Sequence, residues 1–460
     1  MVAVSDASKA MKARPSDATP PTGERPLADI YAQLRPTAYG AFALFLCVLI
    51  GTVEGYDVQL MSLAAPLLAK VWGLTPGAVG PLLSASLIGQ VVGGFLLAPL
   101  GDRWGRRTAM LFGLAIAGVS TLFAAYSSTY ASLLLLRFIA GLGLGMALAN
   151  TIALAMELVP IGWRTISIVM VCAGYPLGAA AGAAAVGVLL ASHGVGAVFY
   201  VGGFSTFAAF LLCLALLPES PVILSARANG QERLRRLLKR LGIEVDPHIR
   251  LTSESSASGQ SRVAALFIPE RRATTLLLWL LMFANLSLVY FFIMWLPSLI
   301  MRSGLDPRDA IEATSLFSFS GIFGGVALAA LLPRMGAINL LGLCYLATLA
   351  AVAAFANVAV GGMRFDIVLF CCGFLIIGSQ FCLNAVISLF YPGPIRATGS
   401  GFALGAGRIG GVFAPIVGGV VLAAVDSPRT AFYVGMIPAG VSLIALLALR
   451  RLRLVGLRSA

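Results

Sequence analysis

Charge is scarce in this sequence. Only 11% of its 460 residues are Asp, Glu, Lys or Arg and 59% are apolar, where ordinary soluble chains hold roughly 25% and about 45–50%. Length alone would suggest water-soluble domains, but a surface this apolar cannot face water. Histidine is rarer still, since His193 and His248 are the only two and both fall in connecting segments. That excludes a histidine metal centre or proton relay within the apolar stretches. The seven cysteines, Cys47, Cys172, Cys213, Cys344, Cys371, Cys372 and Cys382, all lie inside apolar runs. There they behave as small hydrophobes, not as disulfides or metal ligands. No cofactor or metal is expected. Without a nucleophile–histidine–acid set or a phosphate loop, the chain does not read as an enzyme either.

Apolar runs and glycine are what the chain has instead. The 51 glycines favour close approach of membrane helices. Residues 1–38 read as a polar cytoplasmic tail and not as a signal peptide. Beyond them come apolar runs close to the roughly 20 residues that a spanning helix needs. They lie at about 39–70, 77–100, 106–126, 130–158, 165–192 and 196–217, then at about 273–302, 311–333, 337–358, 366–391, 397–425 and 429–449. The expected fold is therefore all-α, with twelve transmembrane helices in two six-helix bundles, at 39–217 and 273–450. Residues 451–460 form a second cytoplasmic tail. The linker 218–272 carries Arg233, Arg235, Arg236, Lys239 and Arg240 among leucines 234, 237, 238 and 241 at helical spacing. It is expected to lay a short amphipathic helix on the inner membrane surface, followed by a loose segment.

The 32 bases outnumber the 19 acids and give a net charge of +13. Five of the bases (Lys70, Arg302, Arg308, Arg364 and Arg429) fall on one side of the spans, and Arg137 and Arg408 fall within them. All the others lie on the side of the N-terminus and linker, which places both termini in the cytoplasm. Because the bases sit in short gaps between spans, the partners they imply are a bilayer and not nucleic acid. The halves also echo each other. Pro160-Ile161-Gly162-Trp163-Arg164 joins spans four and five, and Pro392-Gly393-Pro394-Ile395-Arg396 joins spans ten and eleven, preceded by Asn150 and Asn384. Duplicated halves around a midplane site are the plan of a secondary transporter.

Between spans two and three stands Asp102-Arg103-Trp104-Gly105-Arg106-Arg107. The two arginines read equally well as topology charges. An acid at the inner end of a span can pair with an arginine or with a neighbouring helix N-terminus, a contact that holds one conformation and breaks in the other. With Ala98 in place of its first glycine, this loop resembles the Gly-x-x-x-Asp-Arg-x-Gly-x-Arg-Arg motif of the major facilitator superfamily. The resemblance implies two pseudo-symmetric bundles and a conformational latch at Asp102, Arg103, Gly105, Arg106 and Arg107, to which Glu157, Arg164 and Arg396 are assigned. The matching loop of the second half, Leu332-Pro333-Arg334-Met335-Gly336, lacks the acid.

Glu54-Gly55-Tyr56-Asp57 with Ala65-Pro66 is similar to the Asp-Gly-Phe-Asp…Ala-Pro signature of the aromatic acid:proton symporter family, with Glu54 in place of the first aspartate. Arg137-Phe138, Gly141, Gly143-Leu144-Gly145, Leu383-Asn384, Tyr391-Pro392, Ile395-Arg396-Ala397-Thr398-Gly399 and Gly407-Arg408-Ile409-Gly410 extend the resemblance in the expected order. It implies import of a small aromatic carboxylate with protons across a bacterial inner membrane, by a protein read as a monomer. The alternative is a drug/proton antiporter of the same fold, since Ala414-Pro415-Ile416-Val417-Gly418-Gly419 resembles an antiporter element, although in span eleven instead of span five.

The residues themselves lead to a compatible reading. A charge near the bilayer centre costs about 2.5 kcal/mol or more, so it persists where function or pairing keeps it. Glu54, Asp57, Arg137 and Arg408 qualify. Glu54 and Asp57 are three apart, hence on one helical face, and two carboxylates that close resist double ionisation, which makes a proton carrier. Arg137 reaches the depth of Asp57, either as a static partner or as one released when the acid is protonated. Arg408, about 18 Å into span eleven, has no acid of its own half at that depth. Its planar fork suits a substrate carboxylate, unless it pairs across to Glu54, Asp57 or carbonyl groups. Tyr290, Phe291 and Trp295 on span seven are expected to flank the ring, and the amides of Gln380 and Asn384 on span ten to bond a ring hydroxyl.

Overall fold

The computed structural model describes residues 24–227, 229–246, 249–252, 264–387, 390–391, 393–425 and 427–458. Among them are twelve helices long and apolar enough to cross a membrane. The first six are Ala38–Trp72, Pro76–Leu97, Arg106–Ala124, Tyr130–Glu157, Ile161–Leu190 and Gly196–Leu216. The second six are Pro269–Arg302, Pro307–Met335, Ala337–Asn357, Met363–Asn384, Thr398–Ala424 and Arg429–Leu452. Local chemistry sets their ends. Thr37 caps span one by accepting the Gly40 amide at 3.1 Å, and Gly73 closes it in the left-handed region at φ 63°. Thr129 caps span four through the Ser132 amide at 3.2 Å. Each spares an orphan backbone group at a helix end.

The packing repeats between the halves. Span one lies on span five and span two on span four, while span seven lies on span eleven and span eight on span ten. Gly89 and Gly93 face Gly141 and Gly145 so closely that a Cβ at any of the four would land on the opposing backbone, the small-residue contact that membrane helices exploit. Across the halves, span two meets span eleven, span five meets span eight, and span one meets span seven. At the end far from the linker these contacts merge into one apolar cluster shared by both halves, from Tyr56, Leu60 and Leu83 to Phe292, Phe317 and Phe432. At the linker end each half has a cluster of its own. The molecule is thus sealed at one end and parted at the other.

The linker helix Gln231–Arg240 does form, but it is not laid on lipid. Its Leu234, Leu237 and Leu238 pack with Leu27, Ile30, Tyr31, Leu34, Leu158 and Leu217 onto the first bundle. Leu27, Ile30, Tyr31 and Leu34 are spaced i, i+3, i+4, i+7, so the supposed tail carries the apolar stripe of a helix, Leu27–Gln33. Before it, Glu24–Pro26 pairs in parallel with Arg250–Thr252. The Gln231 side chain clamps that strand by donating to the Leu251 carbonyl at 2.9 Å and accepting its amide at 3.1 Å. The Ser-rich run expected to be loose lies outside the described residues.

Candidate functional site

Between the halves lies a cavity of about 200 Å³ whose wall holds one acid, Glu54, and one base, Arg408. Both are charges that the bilayer would reject, and here they share one space. Glu54 is buried on span one. Arg408 projects from span eleven toward span two, its guanidinium beside Gly94, and among the described residues it makes no hydrogen bond and no ion pair within 4 Å. The rest of the wall is largely apolar, from Leu87, Val171 and Ala179 to Leu286, Val289, Ile293 and Ile377, with the rings of Tyr175, Tyr290 and Phe381. The hydroxyls of Tyr175 and Tyr290 lie 3.3 Å apart and join span five to span seven.

Asp57 does not share this space. Three residues on a helix leave a 60° offset, and that offset turns Asp57 into the body of the first bundle. There its Oδ1 accepts from Arg137 Nη1 at 3.0 Å and from Thr121 Oγ1 at 3.3 Å, and its Oδ2 accepts from Ser86 Oγ at 3.0 Å. Arg137, wholly buried, also donates to Thr121 Oγ1 at 2.7 Å and lies 5.7 Å from the centre of the Phe199 ring. Glu54 and Asp57 thus face two compartments, which corrects the expectation of one shared face.

The aromatic assignments also need correction. Span seven turns Leu286, Val289, Tyr290 and Ile293 to the cavity, an i, i+3, i+4, i+7 stripe that leaves Phe291 and Trp295 on another face. Phe291 packs edge-on against Phe292 at 5.6 Å, and Trp295 Nε1 donates to the Pro415 carbonyl at 3.1 Å. Both are sealed in the shared apolar cluster.

Gln380 and Asn384 do reach the wall, but Gln380 is fully engaged. Its Oε1 accepts from Asn285 Nδ2 at 2.6 Å and its Nε2 donates to Asn384 Oδ1 at 2.7 Å. Behind them Asn285 Oδ1 accepts from the Tyr345 hydroxyl at 2.9 Å and from Ser379 at 3.2 Å. Among the described residues the Asn384 amide nitrogen has no acceptor, which leaves it as a donor at the cavity. Asn285 and Tyr345 were not singled out in the sequence, although a polar amide in the middle of span seven is itself a signal.

At the linker end, Arg106 forms an ion pair with Glu157, which also accepts from Ser220 Oγ. Asp102, 73% exposed, lies 3.8 Å from Arg106. The Arg107 amide donates to Glu219 at 2.9 Å, and Arg227 donates to the Trp104 carbonyl at 2.5 Å. Gly105 takes φ 105° to turn the chain between them, a backbone conformation open to glycine. Arg103 is exposed, and the Arg164 guanidinium stacks on the Tyr31 ring at 4.7 Å. Burial pushes the Tyr31 hydroxyl well above the usual phenol range, and Glu157 adds to that shift. The Arg396 side chain lies outside the described residues. Glu219, Ser220, Arg227 and Tyr31 complete this network from the linker and the N-terminal helix, neither of which the loop motif contains.

Comparison with known proteins follows the same lines. Residues 40–402 match the family described as Major Facilitator Superfamily. The gallate transporter of Pseudomonas putida is 31% identical over 417 residues, covering 89% of this chain and 92% of that protein. The 4-hydroxybenzoate transporter PcaK of Pseudomonas aeruginosa is 32% identical over 82% of this chain and 85% of its own length. Among solved structures, the partially occluded inward-open form of the xylose transporter XylE from E. coli superposes with a TM-score of 0.70 over 90% of this chain and 98% of that one, at 16% identity, a likeness of fold alone.

Proposed function

The chain belongs to the Major Facilitator Superfamily, a family of transporters and not of enzymes, and we propose that it imports a small aromatic carboxylate together with protons. The observation that carries this reading is Arg408, a guanidinium without a partner among the described residues, in an apolar cavity across from Glu54. A half-buried cation with no ion pair within 4 Å among the described residues favours an anionic occupant, and its fork matches a carboxylate. The cavity also limits the cargo. An apolar cavity of about 150 Å³ takes one benzene, so the roughly 200 Å³ here suits one ring with short substituents. The two relatives named above are transporters of single-ring hydroxylated acids by their names.

We infer from the distribution of bases that the linker end and both termini face the cytoplasm, and from the bacterial sources of the relatives that the membrane is a bacterial inner membrane; the sealed end then faces outward. The conformation described is then inward-facing. In the outward-facing form the anion docks at Arg408 between Tyr175, Tyr290 and Phe381, with the free Asn384 amide as a further donor. A proton neutralises Glu54, which faces the cavity. Asp57 and Arg137, both inside the first bundle, stay paired as the bundles rock. The loop Asp102–Arg107 is released from the second half in the inward-facing form, where Asp102 stands in solvent. One anion with at least one proton makes each cycle electroneutral or inwardly positive. Each chain holds a whole cavity between its own halves, which supports a monomer as the working unit.

Uptake of benzoate and hydroxybenzoates into proteoliposomes, with and without an inward proton gradient, tests this reading. A gradient-driven uptake that a protonophore abolishes is expected. Uptake that ignores the gradient, or export of cationic compounds in its place, sinks it. Replacing Arg408 by Lys should raise KM by roughly tenfold to a hundredfold, the loss expected when a charge-assisted pair of hydrogen bonds is broken.

A further inference from the structure

Most polar side chains in the cavity wall have partners. Gln380 is held between Asn285 and Asn384, and Tyr175 bonds Tyr290. Two do not. The amide nitrogen of Gln90 and the hydroxyl of Ser318 are buried without a hydrogen-bond partner among the described residues. Both residues line the cavity and are 6% and 1% exposed. Buried polar atoms are paired in the great majority of cases. Two orphans in one wall therefore point to an occupant that pairs with them.

Their positions say what that occupant carries. Gln90 is on span two, one helical turn before Gly94, where the Arg408 guanidinium lies. It belongs to the seam of spans two and eleven, which Ser84 ties by donating to the Val412 carbonyl at 2.9 Å. Ser318 is on span eight, at the opposite seam with span five, where Gly187 approaches Ile311. The rest of the wall is largely apolar or aromatic, with Glu54, Gln380 and Asn384 among it. A cation and an amide at one side, a flat apolar slot, and a lone hydroxyl at the other side describe a bipolar ligand.

We propose that Gln90 joins Arg408 in holding the carboxylate, and that Ser318 receives a second polar substituent, a ring hydroxyl, at the far side of the slot. The site then selects hydroxylated ring acids over equally shaped acids whose substituent is apolar. A ring hydroxyl can donate to the serine oxygen or accept from its proton, whereas a methyl group in the same place leaves the serine orphaned. The orphaned atom of Gln90 is its N–H₂ donor, the end of the amide that can meet a carboxylate. The inference rests on the transport reading above and sharpens its substrate class.

The test uses the full-length protein in proteoliposomes and compares 3- and 4-hydroxybenzoate with 3- and 4-methylbenzoate, which match them in shape. For at least one ring position, the unaltered protein is expected to prefer the hydroxy acid in kcat/KM by roughly fivefold or more, the worth of one neutral hydrogen bond. The preference should collapse in Ser318→Ala and survive in Ser318→Thr, while Gln90→Leu raises KM for both acids by a similar factor. Equal handling of both acids by the unaltered protein overturns the inference and needs no variant. So does a preference that Ser318→Ala leaves intact, or a KM that Gln90→Leu leaves unchanged, and in each case the transport reading stands. If the unaltered protein carries none of the four acids, both fall.

Discussion

A single side chain in a low-dielectric setting has few neutral options, and the four charges deep in the spans show three of them. Arg137 and Asp57 neutralise each other in a dry pocket with Thr121 and Ser86, Arg408 stands in the cavity wall with no ion pair among the described residues, and Glu54 faces the same cavity. Removing one partner of a buried pair strands the other, at about 3–5 kcal/mol. Asp57→Asn should therefore lower the melting temperature sharply, and adding Arg137→Leu should restore much of it, as thermal unfolding in detergent would show. Glu54→Gln strands nothing and acts on coupling. On the proposed proton coupling, uptake should rise as the outer pH falls below the inner pH. In Glu54→Gln that acceleration should vanish while substrate exchange at equal pH persists. A retained pH dependence would move the proton to Asp57. Which charges lie deep in the spans was legible in the sequence, because a charge in an apolar run is costly enough to stand out. Which way each one points was not. Glu54 and Asp57 differ by 60° around span one, and the choice of compartment depends on where spans two, three and four pack. The same ambiguity put Phe291 and Trp295 beside the substrate, when the stripe that faces the cavity runs through Tyr290 and Ile293.

Helices supply more than positions for these side chains. Span two is interrupted by a π-helical turn at Gly93–Leu97, the stretch beside which Arg408 comes to rest, and irregular backbone of this kind is common at functional sites. Span seven carries the polar relay from Tyr345 through Asn285 to Gln380 and Asn384, which fixes the direction of every amide and leaves donors toward the cavity. Asn285→Leu leaves the Tyr345 hydroxyl without its acceptor, at roughly 1–3 kcal/mol, while Ser379 keeps the Ile376 carbonyl at 2.9 Å, and it frees Gln380 and Asn384 to turn. It should raise KM severalfold and leave the pH dependence of uptake unchanged, a combination that initial-rate kinetics at two pH values distinguishes from a coupling defect. The spans themselves were legible, since about twenty apolar residues in a row leave little alternative. The short elements that brace them were not. The stripe Leu27, Ile30, Tyr31, Leu34 has helical spacing, but it is brief and set in a polar segment, and only the underside of the first bundle and the linker leucines give it something to cover.

In the whole molecule, two rigid halves differ in how they meet at each end. The sealed end combines a continuous apolar cluster with few polar ties, among them Gln59 Nε2 to the Ile293 carbonyl at 3.3 Å and Ser84 Oγ to the Val412 carbonyl at 2.9 Å. Such a seam can part without stranding charges, as an alternating-access cycle requires. Its tightest places are backbone against backbone. A Cβ on Gly80 would lie 2.8 Å from the Pro415 carbonyl oxygen and 3.1 Å from Ile416 Cα. Gly80→Leu should therefore overpack the sealed form, by about 1–3 kcal/mol, while leaving the opposite form, in which spans two and eleven separate at this end, unburdened. Since only the difference between two states moves an equilibrium, the population should shift roughly fivefold to a hundredfold toward the form open at the far end. Cys172, in the cavity wall, is a natural reporter once the other cysteines are replaced. A membrane-impermeant maleimide supplied at the linker end should label it readily when Gly80 is unaltered and slowly in the Gly80→Leu variant, and labelling from the far side should change in the opposite sense. Equal labelling from both sides in the two backgrounds would mean that the seam of spans two and eleven is not where the far end opens.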